Sequence, residues 1–143
     1  MTYTDYLQIL QDEIGASVFA TVDKDGHPHS RIANVGVADE NGIFFMTSPK
    51  TQFYAQLQDK PEVAITGMVN NDKGIQVIRV EGQVREIGKD RLEEILQDNP
   101  YVNDVYPDAE DQKSAQAFQV YKGKGTYQHL QKRVSEEFSF DLE

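Results

Sequence analysis

Two tight reversals inside one short stretch constrain this chain more than any other feature. Between Ser17 and Thr47 three β-patterned runs are separated by Asp25-Gly26 and Asn41-Gly42. These dipeptides favour hairpin turns because glycine reaches positive φ without steric penalty. In the first run Val18, Ala20 and Val22 alternate with Ser17, Phe19 and Thr21, the pattern of a strand buried on at least one face. The second run sets His29, Arg31, Ala33 and Val35 on one face and Ser30, Ile32 and Asn34 on the other. The third, residues 43–47, is apolar and leads into Ser48-Pro49, a favoured N-cap followed by a favoured first helical residue. A helix carrying Phe53, Tyr54 and Leu57 is therefore expected to begin there and stop before Pro61.

The flanking sequence extends this antiparallel theme. Tyr3, Leu7, Leu10 and Ile14 recur at helical spacing, which predicts an amphipathic helix over residues 3–14, ended by Gly15. A fourth strand is predicted over residues 63–69 and, after the Asn70–Gly74 turn, a fifth over residues 75–87, with Gly82 marking a bulge or bend. Arg79 in that strand suits a structural or subunit-contact role. Asp90-Arg91-Leu92-Glu93 resembles a capping box opening a short helix that ends at Asn99-Pro100. The acidic stretch 101–112, with Tyr101 and Tyr106, reads as a loop or short helical turn. Residues 117–122 and 126–130 read as two more strands joined by a Gly123-Lys124-Gly125 turn, and the tail as a final edge segment or partner contact. The sum is a mainly β fold: a small antiparallel β-barrel of six to seven strands with short helices, in one domain spanning residues 1–143.

Charge and composition remove several function classes. With 24 acidic against 14 basic residues, a formal net charge of −10, a phosphate backbone would be repelled over most of the surface, so nucleic acid is not an expected partner. The chain has no cysteine, and therefore no disulfide framework or thiolate metal site. Its three histidines are too scattered for a metal cluster, and His27 and His29 flank Pro28 at a turn. No apolar run approaches a membrane span, and the expected location is cytoplasmic.

Two features could hold an anion. Arg31 lies in an otherwise core-like strand and needs a partner there. It is open to two readings, a barrel-rim residue or salt bridge on one hand, a bidentate anion ligand on the other. At the start of the second helix, unpaired N–H groups and the positive dipole end are joined by the hydroxyls of Thr47, Ser48 and Thr51 and by Lys50, which suits either an ordinary capped helix or a phosphate cradle. A hairpin closed at Asn41-Gly42 would lay the second strand beside the third and bring Arg31 towards Thr47 and Lys50.

Several runs carry a family resemblance: Val18-Phe19-Ala20-Thr21-Val22, Gly26-His27-Pro28-His29-Ser30-Arg31, Asn41-Gly42-Ile43-Phe44-Phe45-Met46-Thr47-Ser48, Lys50, Tyr54-Ala55-Gln56-Leu57 and Pro61-Glu62-Val63-Ala64-Ile65. Together with Val77–Val84, Asn99-Pro100 and the span Tyr121–Tyr127, the chain resembles the pyridoxamine 5′-phosphate oxidase-like FMN-binding split barrels. The resemblance implies a homodimer with FMN at the subunit interface and the partner's fifth strand completing each pocket. It implies Arg31 and Lys50 as phosphate ligands assisted by Thr47, Ser48 and Thr51, the backbone of Ile32, Ala33 and Asn34 along the isoalloxazine ring, and Gln52 at the ribityl chain or ring edge. A deazaflavin in place of FMN stays open. Gln52 and Phe53 stand where the oxidases proper are basic, and the chain lacks the C-terminal tryptophan that serves their substrate, so pyridoxamine phosphate oxidation itself is not expected. The implied function is an FMN-dependent oxidoreductase moving a hydride or electrons between a nicotinamide cofactor and a small molecule, the alternative being a non-catalytic flavin-binding or flavin-sensing module. The residues name no catalytic acid or base, and Tyr54, Tyr101, Tyr106 and Tyr121 are candidates only as phenols.

Overall fold

The structure is a computed structural model that describes residues 1–97, 110 and 114–143. It is mainly β: eight antiparallel strands in one curled sheet, β1 (Ala16–Val22), β2 (Pro28–Asn34), β3 (Val37–Asp39), β4 (Gly42–Thr47), β5 (Glu62–Asn71), β6 (Gly74–Gly88), β7 (Gln116–His129) and β8 (Val134–Asp141). The strand order is β2-β1-β5-β6-β7-β4-β3, with β8 also on β7. Residues 43–47 of β4 pair with residues 116–120 of β7, and β8 pairs with residues 122–129, so β4 and β8 follow one another along the same strand. That break is the split in the barrel.

The sheet closes where β2 passes into β3, through hydrogen bonds from Val35 N–H to Gly15 O (2.9 Å) and from Gly36 N–H to Phe44 O (3.1 Å). Inside lie Phe19, Phe45, Phe118, Leu7, Leu10, Ile65, Ile78 and Val80, all essentially solvent-free. Helix α1 (Tyr3–Ile9) widens its bonding pattern to a π-helical turn at Leu10–Ile14 and stops at Gly15, whose φ of 70° a side chain would resist. Helix α2 (Gln52–Asp59) lays Phe53 and Leu57 on the core. Helix α3 (Leu92–Gln97) covers the other face of β4, where Leu92 and Ile95 meet Phe44 and Met46. Among the described residues no helix is long and apolar enough to cross a membrane.

Several expectations are corrected and others are narrowed. The described residues form eight strands, not six or seven. Residues 117–130 form no hairpin: β7 runs unbroken through Gly123-Lys124-Gly125, because Phe140 and Phe138 of β8 lie across the glycines, with ring atoms 3.2 and 2.5 Å from where a Cβ would stand at Gly123 and Gly125. Tyr3 and Tyr6 of α1 stack on those same two rings. The tail is an edge strand. The Asn41-Gly42 turn joins β4 to the short β3 rather than to β2, which pairs only with β1. The register shifts in β6 fall between Gln83 and Val84 and between Glu86 and Gly88, past Gly82 rather than at it. Gly82 serves a close approach instead, since a Cβ there would stand 2.5 Å from Val120 Cγ1. In β1 the inward face carries Ser17, Phe19 and Thr21, and Val18 and Val22 face out. Arg91, expected inside a capping box, has φ 59° and pairs with Asp39 (2.8 Å) and Glu94 (2.9 Å) ahead of α3. The Asn99-Pro100 helix end and the Tyr101 and Tyr106 loop lie outside the described residues.

Candidate functional site

Arg31 sits opposite Phe19 in the β1–β2 register and is half-buried. Its guanidinium leans along the sheet towards α2. Nη1 donates to Thr21 Oγ1 (2.8 Å) and Phe19 O (3.2 Å), Nη2 donates to Gln56 Oε1 (2.6 Å), and Cζ lies 4.4 Å above the Phe53 ring. Every one of these partners is neutral. Among the described residues no carboxylate forms a salt bridge with Arg31. Burial pulls its pKa down from the ordinary arginine value, the signature of a cation partly stripped of water and not repaid by an opposite charge. An arginine has five N–H donors, and three are used here, leaving Nε–H and one Nη2–H for a ligand.

The turn between β4 and α2 is organised by hydroxyls. The N-cap is Thr51, not Ser48, and its Oγ1 accepts from Tyr54 N–H (3.0 Å) and donates to Ser48 O (2.9 Å). Thr47 Oγ1 lies 2.8 Å from Thr51 Oγ1. Because the Thr51 proton is already given to Ser48 O, Thr47 is the donor in that pair, and both threonine protons are committed within the turn. Ser48 Oγ accepts from Lys50 N–H (3.2 Å) and keeps its own proton for another partner. Thr47 and Ser48 are buried, Lys50 and Gln52 exposed. Tyr54 N–H is held by the cap and Ala55 N–H donates to Thr51 O (3.3 Å), so the helix-start N–H groups still directed outward are those of Gln52 and Phe53.

Both clusters touch α2, and no strand pairing joins β2 to β4. Arg31 touches the helix at Phe53 and Gln56, and the hydroxyl turn caps it at Thr51. At about 1.5 Å rise per residue these points fall within its first two turns. Ile32, Ala33 and Asn34 complete β2; the Ile32 side chain is 68 % exposed on the outer face, while Ala33 and Asn34 are half-buried beside the seam to β3. The residues that hold Arg31, namely Thr21, Phe53 and Gln56, were not read as site residues from the sequence. A signal existed for Gln56: it lies three residues after Phe53 and one before Leu57, a buried amide on an apolar helix stripe.

Beside this cluster, Asp23 follows β1 and His29 belongs to β2. Asp23 Oδ2 lies 2.8 Å from His29 Nε2 and 3.7 Å from His27 Nδ1, and Oδ1 accepts N–H bonds from Asp25 (2.9 Å) and His27 (3.0 Å). The His29 hydrogen bond foremost, then the His27 N–H bond, holds the Asp23 carboxyl down at about 2. A groove of about 800 Å³ lies on the outer face of β1, β5, β6, β7 and β8, with Ala20, Val22, Glu62, Glu81, Lys122 and Asp141 in its lining. Tyr54, near the cap, is bonded to Glu86, and that bond raises its pKa above the ordinary tyrosine value. Among the described residues no group of histidines and carboxylates could hold a metal ion.

Comparison with known proteins places this geometry. Residues 5–132 match the family model described as pyridoxamine 5′-phosphate oxidase. A pyridoxine/pyridoxamine 5′-phosphate oxidase of Pseudomonas paraeruginosa is 35 % identical over 75 residues, 52 % of this chain but only 34 % of that protein. The match thus spans about a third of the relative's length. Among solved structures, a NimC/NimA family protein from Clostridium acetobutylicum superimposes with a TM-score of 0.74 at 24 % identity, over 95 % of this chain and 91 % of that one. The heme storage protein HutZ of Vibrio cholerae gives 0.62 at 16 % identity over 84 % and 89 %, and an F420 reductase gives 0.60 at 23 % over 79 % and 90 %. At these identities the structures show a shared fold. The match over residues 5–132, together with the split eight-stranded sheet, means that the chain belongs to the pyridoxamine 5′-phosphate oxidase family.

Proposed function

We propose that the chain is an FMN-binding flavoprotein, a homodimer with FMN at the subunit interface, that moves a hydride or electrons between a nicotinamide cofactor and a small molecule. The single observation that carries the reading is Arg31: a half-buried guanidinium, stacked on Phe53 and bonded only to neutral acceptors, with two N–H groups left for an anion. In this acidic chain such a site favours a compact anion of high charge. The residues fit a flavin phosphate. Arg31 would bind it, with Lys50, Ser48 Oγ and the Gln52 and Phe53 N–H groups at the start of α2. The backbone of Ile32, Ala33 and Asn34 would flank the ring, and Gln52 the ribityl chain. Thr47 and Thr51 would act by holding the turn.

When bound, the flavin would supply the redox chemistry, and the protein would bind, orient and shield it. Support for a dimer comes from the outer face. Val18 lies opposite both Ile32 and Thr66, and Val77 opposite Met68, which builds an apolar stripe with Ile32 68 % and Met68 61 % exposed. A stripe of this kind on a sheet face is a contact surface.

The test is direct. The protein as purified should be yellow, or should quench the fluorescence of added FMN, and NADH or NADPH should bleach bound flavin at a catalytic rate under anaerobic conditions. Colourless protein indifferent to FMN overturns the reading. Flavin that binds but is not bleached by any donor leaves a binding module. A deazaflavin would meet the same anion ligands and is separated from FMN by its absorption spectrum.

A further inference from the structure

We propose that Gln56, acting with Thr21, is the specificity-determining residue of the Arg31 site. The two side chains hold the guanidinium as a carboxylate would, but without charge, so its free edge keeps its full attraction for a phosphate group. This rests on the reading of Arg31 as an anion ligand, and adds what makes the site select charge.

Three hydrogen bonds close a ring. Arg31 Nη1 donates to Thr21 Oγ1 (2.8 Å), Arg31 Nη2 donates to Gln56 Oε1 (2.6 Å), and Thr21 Oγ1 donates its own proton to Gln56 Oε1 (2.5 Å). Two acceptor oxygens 2.5 Å apart therefore face the two Nη atoms side by side, the arrangement in which a carboxylate takes the end of a guanidinium. The second Nη1 hydrogen goes to Phe19 O (3.2 Å). With the end of the fork filled, the donors left over are Nε–H and the second Nη2–H, which lie together on one side edge of the plane. That edge is itself a two-pronged fork, suited to two oxygens of a phosphate. The Phe53 ring, with Arg31 Cζ 4.4 Å from its centre, covers one face of the same plane.

The orientation of the amide is fixed by its partners. Arg31 has only donors, and the Thr21 hydroxyl, already accepting from Nη1, offers its proton, so the Gln56 atom between them is the oxygen. Both Thr21 and Gln56 are buried. A glutamate at position 56 would have the same length and accept the same bonds. It would also pair with the cation at a place poor in water, where opposite charges attract more strongly than at the surface. An arriving phosphate would then meet a neutralised arginine and a repelling carboxylate. In a chain with 24 acidic residues, the side chain with the shortest bond to this arginine is an amide.

The test compares FMN with riboflavin, which lacks the phosphate, by fluorescence quenching, alongside urea unfolding, in the wild type, Gln56→Glu, Gln56→Leu and Arg31→Ala. Gln56→Glu should unfold at a urea midpoint no lower than the wild type. It should bind FMN about tenfold more weakly or worse, the scale of one charge-assisted hydrogen bond, with riboflavin affinity unchanged within about twofold. Gln56→Leu frees the guanidinium but adds no charge, and should lose less FMN affinity than the glutamate variant, again with riboflavin spared. A Gln56 that only supports the fold gives the opposite order: glutamate, which keeps length and acceptors, is tolerated, and leucine weakens both flavins. That order, an equal loss of both flavins in Gln56→Glu, or a glutamate variant that does not fold, overturns the role of Gln56. If Arg31→Ala meanwhile loses FMN affinity, the anion site stands and only this inference falls. Wild-type FMN affinity in Arg31→Ala, or no FMN binding by the wild type, overturns both.

Discussion

Arg31 shows how one side chain can be legible in a sequence while its surroundings are not. A charged residue in a core-like strand announces a buried cation that needs compensation. The neutrality of that compensation, from Thr21, Phe19 O, Gln56 and the Phe53 ring, depends on β1 and α2 converging on it. Arg31→Ala should weaken FMN binding by about 1.5 to 3 kcal/mol, as expected for charge-assisted bonds. Arg31→Lys should recover only part of this, because an ammonium cannot reach Thr21, Gln56 and an anion at once. Quenching titrations and unchanged circular dichroism check both. A second residue-scale prediction concerns Tyr6. Its hydroxyl donates to Glu136, and this bond, with burial, pushes its pKa up from 10.0 to about 12. A folded pKa above the unfolded one adds stability that is complete below pH 10 and is lost as pH rises towards 12. The denaturant midpoint should therefore fall on that alkaline limb, and Tyr6→Phe should flatten it.

At the scale of elements, hairpins and helices governed by local chemistry matched expectation closely, and those governed by packing did not. The β1–β2 and β5–β6 hairpins follow from turn residues beside them. The three-residue β3 has too little sequence to show a period, and exists because Gly36 and Val37 can be drawn onto β4. Gly123-Lys124-Gly125 reads as a turn because glycine usually marks one. Here the missing side chains make room for Phe138 and Phe140. Gly125→Ala should then destabilise the protein by about 1 to 3 kcal/mol, since its Cβ would press on both Arg79 O and the Phe138 ring. Urea unfolding measures the loss; an unchanged midpoint would mean that β8 yields easily. At α2, the shift of the N-cap from Ser48 to Thr51 reflects a choice among neighbouring hydroxyls made by the end of β4. Thr51→Ala should cost about 1 kcal/mol and loosen Thr47 and Ser48 as well, which a larger drop in FMN affinity than in stability would reveal.

For the whole molecule, the outward stripe of Val18, Ile32, Met68 and Val77 is the feature with most consequence. Met68→Glu should convert the proposed dimer to monomers in sedimentation and lower FMN affinity with it, while secondary structure persists; a dimer that survives would place the contact elsewhere. The alternation in β1 was visible in the sequence, but which of its two faces points inward was not. Both faces of Ser17–Val22 are plausible interiors, and only closure of the barrel put Phe19 inside and Val18 out. By itself the sequence determined what depends on near neighbours: the β1–β2 and β5–β6 hairpins, the regions of helices α1, α2 and α3, the acidic balance of the chain, and Arg31 and the Thr47–Thr51 turn as candidate anion ligands. Only the tertiary structure decided that β2 and β4 do not pair, that Arg31 and the hydroxyl turn each touch α2, and that the hydroxyl protons of Thr47 and Thr51 are already committed. The reason is physical: turn and cap preferences act over a few residues, whereas closing a split barrel is a balance of contacts between segments far apart in the chain.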